Sequence, residues 1–276
     1  MNLFELAVQN SEALQAKYQD LTAQFEKYHL LPSLEAFVEQ VKSHSRMSIN
    51  MRQHDLNGLL LSERHKNIYE WAEARVKLPP NNREQILRER LKSYYEARMA
   101  FDHFFDDGEN FRYGALNIGG LGATLYGEYC VILTRKFLDD CLYLAFIKED
   151  SLKGYVLPGS SVDIARLTEE VADKEHAHIL AALKHQGDIQ TLPSEEWGGM
   201  VCRSDAYIEA ITIQDIYISV VGCVRINKQE YRKHYDDLYK RYIGLTEPAQ
   251  RLARNFRDVL KLLKNHKIKL EIIDED

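Results

Sequence analysis

Between residues 111 and 226 the chain passes through five short apolar stretches, YGALNI, GEYCVIL, CLYLAFI, AYIEAITI and IYISVVGCVRI. Each is rich in β-branched and aromatic residues and shorter than an ordinary helix, so each reads as a strand. Five strands over about 115 residues predict a mixed or antiparallel sheet. Residues 46–53 add one more: Met47, Ile49 and Met51 alternate with Ser48, Asn50 and Arg52, the period of a strand whose polar face carries Arg52.

Helical spacing brackets these strands. Over residues 3–44, Leu14, Tyr18, Leu21, Phe25 and Tyr28 recur in steps of four and three, as in a helical hairpin or short coiled coil, until LLPS breaks the pattern and offers Ser33 as a cap. Helices are also expected over 55–75 and 83–105, with LPPNN as the turn between them. A last helical stretch covers 228–264, where Leu238, Tyr242, Leu245, Leu252, Phe256, Leu260 and Leu263 supply inner faces. The fold class is α+β, a strand core between helical ends.

Composition removes several functions. Hydrophobic residues make up 45% of the 276, enough for a sizeable core. A net charge of −6 has the wrong sign for general nucleic-acid affinity, so no nucleic-acid partner is expected. Cys130, Cys141, Cys202 and Cys223 show no C-x-x-C spacing, which argues for a reducing compartment and against zinc. The apolar runs fall far short of the roughly twenty residues of a membrane helix, and no membrane partner is expected. No phosphate-binding G-x-x-x-x-G-K-[ST] occurs, and GGLGATLYG leads into a strand rather than a helix.

Five of the fourteen glycines crowd between residues 111 and 133. They mark either a loose loop or a backbone that passes close to a ligand. Glu209 lies mid-strand among Tyr207, Ile208, Ala210 and Ile211, where a carboxylate is costly unless paired or used; the plainer reading is a solvent-facing acid on an edge strand. Arg52 can pair with a surface acid or hold a phosphate in its planar fork. Ser151, in KEDSL after a strand, is either part of a turn or a ligand contact, and Ser160 in PGSS competes with it. Glu175, His178 and His185 share one helical face as a metal constellation, but solvated histidines are commoner, and no metal is expected.

Taken together, these pieces resemble a bacterial family first catalogued as a domain of unknown function, the Legionella-type effector mono-ADP-ribosyltransferases. INMRQ resembles the family's I-N-F-H-P, with Arg52 where histidine often stands, and RYGALN is close to K-Y-G-A-L-N. YGEYCVIL resembles F-G-S followed by a strand, and LAFIKEDS resembles T-T-F followed by D-S, with Leu144 and Ala145 replacing the threonines. YIEAI matches Y-I-E-A-Q, and the matched pieces run from residue 48 to 224.

The resemblance implies a split β-sandwich of the ADP-ribosyltransferase kind over residues 46–227, with an inserted helical layer and helical regions over 1–45 and 228–276. It implies NAD as substrate and Glu209 as the catalytic carboxylate, stabilising the cationic sugar that forms when nicotinamide leaves. Arg52 would grip the pyrophosphate. Tyr113 or Tyr126 would stack on nicotinamide, Gly114 and Gly127 would let main chain approach it, and Phe146 and Asp150 of LAFIKEDS are the further cofactor-binding positions that the resemblance implies. The order Arg52, Ser151, Glu209 implies transfer to arginine. Such enzymes carry a second acid two residues before the glutamate; Tyr207 stands there, and Glu128 is the candidate to replace it. The partner would be a host protein, a metabolic enzyme such as glutamate dehydrogenase being one candidate, reached by export from the bacterial cytoplasm into the host. Two other readings stay open, an NAD glycohydrolase and a non-catalytic interaction scaffold.

Overall fold

A computed structural model describes residues 1–76, 82–235 and 246–274. The first helical stretch is three helices, α1 (Leu3–Gln9), α2 (Ser11–Lys27) and α3 (Leu31–His44). The break falls at LLPS as expected, but the cap does not. Pro32 takes the first turn of α3, where its missing N–H goes unneeded, and Ser33 is already inside the helix.

β1 (Arg46–Met51) follows, and its expected polar face is absent. Ser48 is as buried as Met47 and Ile49, because the strand runs through the middle of the sheet. The next helical layer comprises α4 (Gln53–Ser62), α5 (Ile68–Glu73), α6 (Arg83–Leu91) and α7 (Tyr95–Phe104). Glu63, in the left-handed region, stops α4, and Asn67 with Glu70 forms a reciprocal cap that restarts the chain as α5. Most of the expected LPPNN turn, residues 78–81, lies outside the described residues, as do Leu238, Tyr242 and Leu245.

β2 (Arg112–Asn117), β3 (Tyr129–Leu133) and β4 (Leu144–Ile147) lie where the apolar runs predicted, with α8 (Arg135–Asp140) before β4. The chain then builds α9 (Ser151–Tyr155), a ribbon of β5 (Val156–Leu157) and β6 (Ser161–Val162), α10 (Ile164–Glu169) and β7 (Val171–Asp173). Next come α11 (Ala177–Lys184), α12 (Gln186–Thr191) and α13 (Trp197–Val201). β8 (Glu209–Thr212) and β9 (Val221–Asn227) precede α14 (Lys228–Arg232), α15 (Glu247–Asn265) and β10 (Lys269–Ile273).

Among the described residues, eight strands pair in the order β10-β9-β3-β1-β2-β8-β4-β7, with β10 parallel to β9 and the other neighbours antiparallel. The molecule is thus α+β with one large mixed sheet, hydrogen-bonded throughout rather than divided into two. A parting exists within it. β1 pairs with β2 only from Arg46↔Asn117 to Ser48↔Ala115, then continues to Met51 against β3 alone.

One apolar core crosses all parts of the chain. Leu14, Phe25 and Phe37 from the N-terminal helices meet Met47, Val131 and Phe146 from the sheet and Phe256 and Leu263 from α15. Two glycines owe their identity to the parting strands. A Cβ on Gly114 would lie 2.5 Å from the Ser48 carbonyl oxygen, and one on Gly127 would lie 2.1 Å from the Met51 carbonyl carbon. The crowding of glycine after residue 111 therefore lets the β2–β3 region press on β1.

Candidate functional site

Where β1 and β2 part, a cavity of about 490 Å³ opens, walled by residues of both strands from Ser48 to Met51 and from Phe111 to Ala115, with α4, α5 and the end of α6 across from them. That volume lies within the roughly 300–1,000 Å³ of small-molecule sites. Its walls carry six basic side chains, Arg64, Lys66, Arg75, Arg90, Arg98 and Arg112, against the carboxylates of Asp55 and Glu209. Arg64 and Arg112 are tied to Glu70 and Asp215, and Arg90 grips Asp55 at 2.8 Å. Among the described residues, Lys66 and Arg75 have no carboxylate within ion-pair distance, so the outer wall keeps a positive excess. Arg75 stacks on Trp71 with its guanidinium 3.6 Å from the ring centroid.

Glu209 lies on the wall of this cavity with 3% exposure. β8 sits between β2 and β4, so Glu209 is flanked by Ala115 and Ile147, and an edge position is ruled out by that pairing. Its Oε2 accepts a hydrogen bond from the Ser151 backbone N–H at 2.7 Å. Burial, then the neighbouring Asp150 charge, pushes the Glu209 carboxyl up to about 8, against a smaller opposing pull from Arg98.

Asp150 and Ser151 stand behind the wall. Asp150 caps α9 by accepting from the Leu152 and Lys153 N–H groups, and it also accepts from the hydroxyls of Tyr126 and Tyr207, the latter at 2.8 Å. Burial works to raise its carboxyl, and those donors outweigh burial and hold it below the usual value. Ser151 is fully buried, and its hydroxyl lies 3.4 Å from Arg98 Nη1. Its contribution is to anchor Glu209 rather than to meet a ligand. Ser160 is exposed on the ribbon turn and forms no part of the cavity wall.

Five of the expected residues thus gather here: Glu209, Ser151, Asp150, Tyr113 and Tyr126. Tyr113 lines the cavity and donates its hydroxyl to Asp102, while Tyr126, 46% exposed, closes over Asp150. Gly114 also lines the cavity, although its shape is dictated by Ser48.

Four do not gather. Arg52 is exposed one residue beyond β1 and is not on the wall, because the strand ends at Met51 and the chain turns into α4. Glu128 faces away: its Oε1 accepts from the Gln53 N–H at 3.1 Å and lies 3.9 Å from His234. The carboxylate that lies close enough to act on Glu209 is Asp150 instead. Gly127 packs on β1, and Phe146 is fully buried in the main core.

Two residues escaped the sequence. Arg98 and Asp102, one turn apart on α7, are buried beside Phe101, and Arg98 Nη1 reaches Asp102 at 3.3 Å. Tyr69 and Tyr113 complete Asp102, and the Arg98 guanidinium lies 3.7 Å from the Tyr113 ring centroid. The available signal was an Arg-x-x-x-Asp pair on the same helical face as Phe101 and Phe105, which reads equally well as a surface pair.

The histidine-bearing helix builds no such cluster. His185 is buried with Nδ1 3.4 Å from Asp188, His178 packs edge-on against Tyr18, and burial lowers both rings to about 4. Among the described residues, no three His, Cys, Asp or Glu side chains come together as a metal site, and no helix is long and apolar enough to cross a membrane. No protein-family model matches the chain, and no match was found among curated proteins.

Proposed function

We propose that the protein is a mono-ADP-ribosyltransferase that cleaves NAD and passes ADP-ribose to a protein side chain, arginine first among the acceptors. The observation that carries this reading is Glu209, an ionisable acid inside the sheet, buried on the wall of a ligand-sized cavity and, among the described residues, without an ion-pair partner at hydrogen-bond distance. A carboxylate so placed is expensive for the fold and suited to a ligand that brings positive charge.

NAD is such a ligand at one end and an anion at the other. Its pyridinium and the sugar cation that forms on nicotinamide departure would face Glu209, with Tyr113, Tyr126 and Tyr207 as flat walls. Its phosphates suit the positive excess around Arg75 and Lys66, so the clamp first assigned to Arg52 passes to the helical layer. In the reaction the C1′–N bond breaks and its electron pair goes to the ring nitrogen, neutralising the pyridinium. A guanidinium nitrogen then bonds to C1′ and sheds one proton, for which Glu209, made more basic by burial, is the acceptor in reach.

The test is incubation with labelled NAD, with and without a eukaryotic cell lysate, beside a folded Glu209→Gln variant. Labelling of a lysate protein that falls by about two to three orders of magnitude in the variant is the expected result. Nicotinamide release without a labelled protein would make water the acceptor and the protein a glycohydrolase. If neither release nor NAD binding by calorimetry occurs, the enzyme reading fails and an interaction scaffold takes its place.

A further inference from the structure

Three carboxylates and one guanidinium meet at the cavity wall, Glu209 and Arg98 on it and Asp102 and Asp150 behind it. Asp102 comes from α7, Asp150 from the start of α9 and Glu209 from β8; Arg98, also on α7, is the cation. The other titratable groups facing Glu209 are the hydroxyls of Tyr113, Tyr126 and Tyr207, which are neutral at working pH. Arg98 itself is about nine-tenths buried yet lies on the cavity wall, and its Nη1 is shared between Asp102 at 3.3 Å and the Ser151 hydroxyl at 3.4 Å.

A plain structural salt bridge would account for Arg98 and Asp102 alone. It does not account for the sharing. Asp102 is already served by the hydroxyls of Tyr69 and Tyr113, whereas Ser151, the residue whose N–H anchors Glu209, takes the other side of the same guanidinium nitrogen. We propose that Arg98 is a positioning residue for the candidate reaction: through its buried guanidinium it fixes Ser151 and thereby Glu209, and it supplies the positive charge that lets Glu209 exist as a carboxylate beside Asp150. With one cation for three acids the cluster falls short of positive charge once Glu209 ionises, and a cationic group of the substrate opposite Glu209 makes up the deficit. This meaning rests on the NAD-cleaving reading, whereas the coupling of Arg98 to Glu209 does not.

The experiment separates the two. The Glu209 carboxyl is followed by carbon NMR in protein labelled at glutamate Cδ, with its signal assigned by its loss in Glu209→Gln. Arg98→Gln combined with Asp102→Asn removes both buried charges together, so that neither is left unpaired, and should raise the Glu209 midpoint by about one to three pH units. Arg98→Lys should stay close to wild type, and the pH profile of nicotinamide release should follow the carboxyl in each variant. A midpoint unchanged in the folded double variant overturns the proposal. Should that variant fail to fold, the Arg98 Nε resonance of the wild type decides: it must titrate with the Glu209 midpoint, and indifference to that transition overturns the coupling. A wild-type protein that releases no nicotinamide at any pH refutes the NAD reading while leaving the NMR result on Arg98 intact.

Discussion

Two acids as close as Glu209 and Asp150, both out of water, do not ionise independently. The hydroxyls on Asp150 decide the order: Asp150 loses its proton first and Glu209 holds one up to about 8. A raised acid binds a proton more tightly in the folded chain than in the unfolded one. Its stabilising contribution is therefore complete below the ordinary glutamate value and is lost as pH climbs through about 8. Glu209→Gln, which still accepts from the Ser151 N–H, should leave thermal stability nearly unchanged at pH 5 and raise it at pH 9. At about 1.4 kcal/mol per pH unit the gain is bounded by several kcal/mol, and equal melting shifts at both pH values would contradict the assignment. The transfer rate should likewise rise with pH toward an inflection near 8, shifted lower once a cationic ligand is bound. Glu209 could be picked out of the sequence because a carboxylate between Ile208 and Ile211 violates its surroundings. Arg98 could not, since on a helix a charged pair one turn apart is normally a surface feature. Arg52 misled because the alternation of β1 extends in the sequence one residue past the point where the strand stops.

At the scale of elements, Gly122 and Gly127 between β2 and β3 press on β1, while Gly119 and Gly120 pack on α13 and the residue after it. Gly127→Ala would drive a methyl into the Met51 carbonyl and should cost about 1–3 kcal/mol or more, seen as a lower urea midpoint. A ligand-contact role would instead predict normal stability with weakened NAD binding. β3, β4 and β8 were legible for the reason that made them strands, burial on both faces, whereas β2 and β9 were legible from their β-branched and aromatic residues although each keeps half-exposed positions. β7 has three residues and β10 reads Lys-Leu-Glu-Ile-Ile, with two charges among its first three residues, so neither offers an apolar run to notice. The helices of the inserted layer were legible as a stretch but not in number, because α4 ends on Glu63 at positive φ, a termination that glycine usually announces.

The whole molecule has one main core, and the residues first assigned to terminal extensions are inside it. Phe37 is fully buried and meets Trp197 edge-on with ring centroids 5.3 Å apart. Phe37→Ala should lower the stability of the entire fold by about 3–5 kcal/mol in a single cooperative transition. A detachable N-terminal region would instead leave the main transition at its wild-type midpoint. The other end of the chain matters differently. Among the described residues β10 lies at the margin of the sheet, and it carries Lys269 and Glu271, which pair at 3.0 Å while Glu271 also holds Arg225 of β9 at 3.0 Å. Charged side chains on a marginal strand discourage other chains from adding to it, whereas β9 behind it reads Val-Gly-Cys-Val-Arg-Ile-Asn. Until residues 269–273 dock, β9 presents an unpaired and largely apolar ladder to its neighbours. Those five residues therefore cover an edge that would otherwise invite self-association, and any opening that released them would expose the chain to aggregation.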